Sequence, residues 1–477
     1  MNKLNKLPEI IQGGMGIGVS SWRLARAVSK QGQIGVVSGA AIDSVIARRL
    51  QLGDHDGKIR QALSKFPWPD MAQRILDTFF IPGGKSANKP FRSIPMPAIE
   101  MQKSRIELMI VANFVEVQLA KEGHQGLVGI NYLEKIQIPT LPSLLGAMLA
   151  SVDFVLMGAG IPISIPGALD GLSRWQRVEI KLHVEDNIQH SNYSYRFDPK
   201  EFCPGKLPIL RRPKFLAIIS SDTIAKTLIR KGTGLVDGFI IENHTAGGHN
   251  APPRKDKRLQ MQSPQEYGLK DIPDIQKVRD LGRPFWLAGG YASPMKLKEA
   301  LDSGAQGIQI GTAFAFCRES EILEEIKQEV LTQCINGNLK VFTGFQTSPT
   351  GYPFKLIHLK NTMTDMTKNT QRRRICDLGY LRRLYTKNGS KIGYRCPGEP
   401  VKDFLKKGGS PDETIGKQCL CNALLATIGL GQGDENGSEL PIVTAGEDFS
   451  FLANIIEKST TNYSAKDVID YIRGSID

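Results

Sequence analysis

The sequence predicts an α/β protein built on a (β/α)8 TIM barrel, with insertions and a C-terminal accessory region. Two observations lead to this fold class. Eight short apolar segments alternate with amphipathic helices over about the first 310 residues, and glycine or polar residues follow several of these segments. Such alternation is typical of parallel strands joined by right-handed crossovers. The count of eight favours a closed barrel over a doubly wound open sheet.

The predicted strands lie at residues 9–15, 33–39, 126–132, 152–157, 214–220, 236–241, 284–288 and 307–311. Helical spacing of apolar residues predicts helices between them, including residues 22–30, 104–123, 140–150, 222–231 and 294–303. Two irregular insertions, at about 51–100 and 165–213, interrupt the alternation. We therefore expect a barrel over residues 1–330 and a mostly helical accessory region over residues 331–477.

The formal net charge of +13 and the pI of about 9.3 raise the question of nucleic-acid binding. The positive charge is spread along the chain, Arg372–Arg374 is its only triple-arginine run, and no nucleic-acid-binding motif accompanies it. We expect no nucleic-acid partner, and a basic surface that attracts small anions. The sequence has no apolar run long enough to span a membrane and no signal-peptide core, so a cytoplasmic protein is expected.

Four of the seven cysteines, Cys376, Cys396, Cys419 and Cys421, fall in the last quarter of the chain. Four thiols could bind zinc or an iron–sulfur cluster. However, the only close pair is C-x-C rather than C-x-x-C. We expect reduced thiols packed in a small lobe, and no metal.

The first strand ends in a glycine-rich segment, Gly13 to Gly18. It is not a dinucleotide-binding fingerprint, because Val19 stands where the last glycine belongs and no acidic residue ends the second strand. Backbone without side chains would let a flat ring lie close against it. A simple tight turn is the alternative interpretation.

Glycines also follow strands seven and eight, at Gly289–Gly290 and at Gly311, with Thr312 adding a hydroxyl. Barrel enzymes commonly bind phosphate at these two strand ends, through exposed backbone amides. The sequence therefore predicts a phosphate site, with ordinary βα turns as the alternative.

The segment Glu242–His249, which follows strand six, is rich in polar residues. Gly247 and Gly248 would let the chain pass close to a ligand, and the His249 imidazole would suit a general base. A solvated loop histidine is the alternative for His249, and it is the favoured interpretation for His244. Arg254 could contact a phosphate or carboxylate.

These motifs together resemble the nitronate monooxygenase (2-nitropropane dioxygenase) family. Gln12–Gly16, Ala246–His249, Ala288–Gly290 and Gly311–Thr312 occur in the family's order, and the resemblance covers roughly residues 8 to 330. The family also includes flavin-dependent enoyl-acyl-carrier-protein reductases. The insertions and C-terminal extension are similar to those of relatives in polyunsaturated-fatty-acid and polyketide synthases.

The resemblance implies FMN as cofactor and His249 as the catalytic base. It places the phosphate at Gly289, Gly290, Gly311 and Thr312, and the isoalloxazine beside Gly14, Met15 and Gly16. It also implies cofactor contacts at Asn131, Gly247 and Gly248. One departure is clear: strand five, Leu216–Ser220, lacks the lysine that many relatives carry near the flavin pyrimidine.

The implied reaction is the oxidation of an alkyl nitronate by O2 to a carbonyl compound and nitrite. The alternative is an NAD(P)H-dependent enoyl reductase of lipid or polyketide synthesis, acting on an enoyl thioester with an acyl carrier protein as partner. A flavin-binding accessory protein with little turnover is a third interpretation.

Overall fold

The computed structural model describes residues 7–186, 191–254, 266–372, 374–387, 391–434, 437–456 and 462–474. The strands in chain order are β1 (Ile10–Gln12), β2 (Gly35–Ser38), β3 (Val128–Leu133), β4 (Phe154–Gly158), β5 (Val178–Lys181), β6 (Val184–Glu185), β7 (Ser194–Phe197), β8 (Lys214–Ile219), β9 (Gly238–Glu242), β10 (Gly248–His249), β11 (Phe285–Ala288), β12 (Gly307–Ile310), β13 (Val341–Gly344), β14 (Phe354–Ile357), β15 (Arg383–Lys387), β16 (Lys391–Arg395), β17 (Gly433–Asp434) and β18 (Gly437–Ser438).

The α-helices are α1 (Trp22–Lys30), α2 (Ile42–Gln51), α3 (Lys58–Leu63), α4 (Pro69–Phe79), α5 (Lys103–Lys121), α6 (Thr140–Leu149), α7 (Ile165–Ser173), α8 (Asp222–Lys231), α9 (Ile275–Arg279), α10 (Pro294–Asp302), α11 (Thr312–Ala315), α12 (Glu324–Ile335), α13 (Met366–Gln371), α14 (Val401–Lys406), α15 (Leu420–Ala426), α16 (Leu452–Ile455) and α17 (Ala465–Arg473). Each of the five helices predicted between barrel strands is present.

Eight parallel strands form the central sheet in the order β1-β12-β11-β9-β8-β4-β3-β2. A parallel bridge between Ile11 and Ile34 joins its two ends. There the Gln12 amide donates to the Ile34 carbonyl at 2.9 Å, and the Ile34 amide donates to the Ile10 carbonyl at 3.1 Å. The predicted TIM barrel is confirmed, and each of the eight predicted strands corresponds to one barrel strand.

The barrel interior is filled by a separate apolar cluster whose members come from most of the strands. Its buried residues are Ile11, Ile34, Val36, Phe154, Leu156, Leu216, Ile240, Trp286 and Ala288. The opposite strand faces pack against the helices in one larger core. Because both faces of each strand are covered, the strands read as near-continuous apolar runs, which is why the sequence revealed them.

Residues 331–477 differ from the mostly helical region that we expected. Their described part holds two β-hairpins, β13–β14 and β15–β16, a short pair β17–β18, and short helices joined by long loops. The second hairpin extends a small sheet with β6 of the 165–213 insertion, where Leu384 pairs with Val184. Gly351 and Pro353 lie in the loop between β13 and β14, and Gly408–Gly409 follows the end of α14.

Across the described residues, no helix combines the length and the apolar character needed to cross a membrane.

Candidate functional site

One cavity lies at the carboxyl ends of the barrel strands, and every residue that the family resemblance assigned to the site lines it. These residues are Gly14, Met15, Gly16, Asn131, Gly247, Gly248, His249, Gly289, Gly290, Gly311 and Thr312. They come from five separate strand ends, which the closure of the barrel brings to a common mouth.

The first wall is the glycine segment that follows β1. The Asn131 side-chain amide, at the middle of β3, donates to the Gly14 carbonyl at 2.9 Å. A Cβ atom on Gly14 would collide with the Asn131 side chain, so only glycine permits this close approach. The Asn131 Oδ1 atom is buried and has no hydrogen-bond partner in the described part of the chain. It is therefore an unused acceptor at the cavity wall.

The second wall is formed by the glycines that follow β11 and β12. Gly289 and Gly290 have φ angles of 93° and 74°, the left-handed region that favours glycine. A Cβ on Gly289 would lie 2.9 Å from the Cβ of Asn243. The Thr312 hydroxyl oxygen accepts from the Gly446 amide at 2.8 Å, so its proton remains available to a ligand.

The third wall carries His249, which lies in β10. This strand pairs antiparallel with β14 of the accessory region, and His249 lies opposite Phe354 with ring centroids 4.7 Å apart. His249 Nε2 lies 2.7 Å from the Ser348 Oγ atom, and Ser348 is fully buried. Burial lowers the pKa of His249 to about 4, so the ring is uncharged at neutral pH.

Other polar side chains in the cavity received no individual role from the sequence, among them Ser38, Glu242, Thr245 and Gln309. Ser38 Oγ, Thr245 Oγ1 and Gln309 Oε1 are buried without a hydrogen-bond partner among the described residues. Gln309 interrupts the otherwise apolar strand β12, and Glu242 ends β9, so strand position was the signal that could have identified both.

Glu242 differs from an ordinary surface carboxyl. Burial raises its pKa to about 8, so at neutral pH it is mostly protonated and uncharged. A protonated carboxyl is a hydrogen-bond donor as well as an acceptor. Glu242 can therefore present a donor to a ligand in the cavity without bringing in a negative charge.

No arginine or lysine lines the cavity within the part of the chain that the structure describes. Strand β8, where many relatives carry a lysine, contributes the apolar Ile218 instead. The missing lysine is thus not replaced by another cation at the cavity wall. Apart from Asp448, polarity here comes from amides, hydroxyls and neutral side chains.

The accessory region supplies the outer wall, to which the sequence analysis assigned no role. Its contributors include Phe354, Tyr380, Leu381, Leu420, Cys421, Leu424 and Thr444–Gly446. The Tyr380 hydroxyl donates to Asp43 Oδ1 at 2.5 Å and accepts from Arg105 Nη2 at 3.0 Å. Asp43 and Arg105, from α2 and α5, also form a buried ion pair. This network fixes the accessory region to the barrel.

Two other predicted candidates lie outside the cavity wall. The Arg254 guanidinium donates to the Lys270 carbonyl at 2.6 Å and to the Ser220 carbonyl at 3.1 Å. His244 stacks on Tyr267 with ring centroids 4.4 Å apart. The contacts of Arg254 and His244 are therefore with other parts of the protein and not with the cavity.

The four C-terminal cysteines are free thiols, and Cys396, Cys419 and Cys421 are buried. Burial raises the pKa of Cys396 to about 11 and that of Cys419 to about 12. No cluster of three or more His, Cys, Asp or Glu side chains suited to a metal ion occurs in the described ranges.

The family model of nitronate monooxygenase matches residues 212–371. A probable nitronate monooxygenase of Bacillus subtilis (strain 168) is 32% identical over 154 residues, or 32% of this chain and 41% of the relative. The chain thus spans about two fifths of that relative's length.

Two solved structures are also similar to the chain. FabK from Thermotoga maritima has a TM-score of 0.47 and 14% identity over 99% of this chain and 94% of that one. Nitroalkane oxidase from Streptomyces ansochromogenes has a TM-score of 0.41 and 15% identity over 73% and 76%. The family resemblance predicted from the glycine and histidine motifs is confirmed by the family model, which matches residues 212–371, and by the Bacillus relative.

Proposed function

We propose that the chain is an FMN-dependent oxidoreductase of the nitronate monooxygenase type, which oxidises alkyl nitronates with O2 to a carbonyl compound and nitrite. One observation carries this proposal: the glycine segments after β1, β11 and β12 and the uncharged imidazole of His249 line the same cavity. The family match over residues 212–371 supports it.

The cavity fits a flavin because its wall holds buried polar atoms that lack partners. Asn131 Oδ1, Thr245 Oγ1 and Gln309 Oε1 are such atoms among the described residues. A buried polar atom without a hydrogen bond costs on the order of 1–3 kcal/mol, so a ligand that satisfies these groups would gain affinity. The flavin pyrimidine carries both donors and acceptors and would occupy such a wall.

The phosphate of FMN would lie at Gly289, Gly290, Gly311 and Thr312. Without side chains, the three glycines leave their backbone amides accessible, and the Thr312 hydroxyl can donate a further hydrogen bond. Gly14, Met15 and Gly16 would lie beside the ring, with Gly247 and Gly248 close to the cofactor. Because the described cavity wall has no cation, phosphate binding would depend on these neutral donors.

Bound FMN would supply electron acceptance and reactivity toward O2. His249 would remove the α-proton of a neutral nitroalkane, since its lowered pKa keeps the ring unprotonated and able to accept a proton. If Nε2–H donates to Ser348, Nδ1 carries the free lone pair for this transfer. A nitronate taken up directly would need no base.

One observation favours the enoyl reductase as a second candidate function. Tyr380 and Leu381 line both the site cavity and an adjoining cavity whose other walls include Lys135 and Arg382. Neither cation has an ion-pair partner in the described part of the chain. An elongated substrate with a distal anionic group, such as the enoyl thioester of an acyl carrier protein, would match this arrangement.

The visible spectrum of the purified protein tests flavin binding directly, and FMN uptake by the colourless protein repeats the test. Anaerobic reduction then separates the two reactions. Bleaching by an alkyl nitronate alone supports the monooxygenase, whereas rapid bleaching by NADPH followed by enoyl thioester reduction supports the reductase. A protein that neither contains nor takes up FMN would refute both proposals.

The role of His249 is tested with His249→Gln, and His358→Gln serves as the matched control because His358 is exposed. We expect His249→Gln to retain flavin and nitronate oxidation but to lose most turnover of neutral nitroalkanes. Equal nitroalkane rates in the two variants would remove His249 from the mechanism.

A further inference from the structure

A second cavity, separate from the candidate active site, lies within the accessory region. We call it the basic cavity, because Arg372, Arg374 and Lys417 line it and no aspartate or glutamate of the described chain does. Phe342, Phe345 and Met366 form part of its apolar wall. It has no residue in common with the wall of the site cavity.

Two of the three cations lack a carboxylate partner. Arg372 pairs with the buried Glu439 at 2.7 Å. By contrast, within the described ranges Arg374 donates to the Glu399 carbonyl at 3.3 Å and Lys417 donates to the Ser348 carbonyl at 3.1 Å, and neither forms an ion pair. Both side chains are partly buried, so their charges are incompletely compensated by solvent.

This electrostatic cost lowers the pKa of both groups. Burial, together with the charge of Arg372, lowers the pKa of Arg374. Burial, together with the charge of Arg383, lowers the pKa of Lys417, which the carboxylate of Glu413 partly offsets. An anion in the cavity would reverse both effects, since it would supply the missing negative charge.

We propose that the basic cavity binds a phosphate group carried by a small molecule with an aromatic portion. A phosphate has three acceptor oxygens and up to two negative charges, which match a guanidinium and an ammonium better than a single carboxylate does. The side-chain amides of Asn369 and Gln418, which are neutral donors, also face this cavity. Phe342 and Phe345 offer a surface for the aromatic portion.

The basic cavity is connected to His249 through a short chain of contacts. Lys417 bonds to the carbonyl of Ser348, whose hydroxyl contacts His249 Nε2. Strand β14 borders both cavities, because Phe354 lines the site cavity and Leu356 lines the basic cavity. A ligand of the basic cavity would therefore contact the support of the candidate active site without entering it.

Isothermal titration of the full chain tests the proposal with pyrophosphate and ADP as probes, and variants of the basic cavity assign the binding to it. We expect both anions to bind, and ADP to bind more tightly than pyrophosphate. Arg374→Gln and Lys417→Gln should each weaken binding about tenfold or more, since each removes a charge-assisted hydrogen bond. Lys402→Gln, which removes an exposed charge outside the cavity, should leave affinity unchanged.

Lys417→Arg should retain binding, which separates loss of charge from misfolding. Absence of binding by both probes, or equal affinity in the wild type and the two glutamine variants, would overturn the proposal. Equal affinity for ADP and pyrophosphate would overturn its aromatic part. Because the readout is binding heat, these outcomes do not depend on whether the proposed oxidoreductase activity exists.

Discussion

Acidification from pH 8 to pH 5.5 should leave His249 almost entirely uncharged. The ring packs against Phe354, and Nε2 contacts the fully buried Ser348, so a proton would place a charge where water is scarce. Burial lowers its pKa from the ordinary value of 6.5 to about 4. At pH 5.5, about 3% of such rings are protonated, against about 91% of ordinary imidazoles.

The lowered pKa also links His249 to folding stability. Between pH 6.5 and pH 4 the unfolded chain binds a proton at this residue and the folded chain does not. Stability contributed by the neutral ring is therefore present above pH 6.5 and is lost as the pH falls toward 4. The loss reaches about 2 kcal/mol at pH 5, since a tenfold difference in proton affinity between the folded and unfolded chain corresponds to about 1.4 kcal/mol.

Carbon-13 labelling of the histidine rings allows the titration to be followed by NMR. Comparison with His249→Gln identifies the His249 resonance among the seven histidines. We expect almost no chemical-shift change for His249 above pH 5. A His249 midpoint near 6.5 would refute the claim that burial keeps this base neutral.

Three further changes test other parts of the site. Gly290→Val should abolish FMN binding, because Gly290 has a φ of 74°, which a β-branched residue rarely adopts, and the valine side chain would crowd the proposed phosphate position. A normal flavin-to-protein ratio after gel filtration would contradict this. In a flavin fluorescence titration, Glu242→Gln should bind FMN nearly as well as the wild type, and Glu242→Ala should bind it more weakly. If both variants bind equally weakly, the flavin does not depend on a neutral hydrogen-bonding side chain at this position. Tyr380→Phe should lower the free energy of unfolding by about 1–3 kcal/mol, because buried Asp43 loses a hydrogen bond, and an unchanged thermal midpoint would contradict that role.

The barrel could be predicted because each of its strands, helices and turns has a recognisable pattern within a short stretch of sequence. Strand β9, for example, reads Gly-Phe-Ile-Ile-Glu, an apolar run that ends in a polar residue at the mouth. Helix α1 shows its buried face directly, since Trp22, Leu24, Ala25 and Val28 recur at helical spacing and are all buried. The glycine turns after β11 and β12 are equally local, because φ angles above zero favour glycine.

The remaining parts of the site depend on contacts that sequence spacing does not encode. Ser348 lies 99 residues beyond His249, and only the pairing of β10 with β14 brings them together. The raised pKa of Glu242 comes from burial by other segments of the chain. Strands β13 and β14 have only four residues each and no sustained alternation of apolar and polar residues, so their sequences did not reveal the hairpin.

The alternation of barrel strands and helices therefore ends near residue 330, but residues beyond it still form part of the candidate site. The Gly446 amide bonds to Thr312, the Glu447 amide bonds to the Thr245 carbonyl at 3.1 Å, and the fully buried Lys355 pairs with the side chain of Glu447. A Cβ on Gly247 would lie 2.8 Å from the Gly446 nitrogen, so the two segments can approach only if residue 247 is glycine. The family match likewise continues to residue 371, past both Ser348 and Phe354. A chain truncated after the barrel would expose apolar side chains at the mouth and would remove the group that orients His249, so catalysis by the barrel alone is not expected.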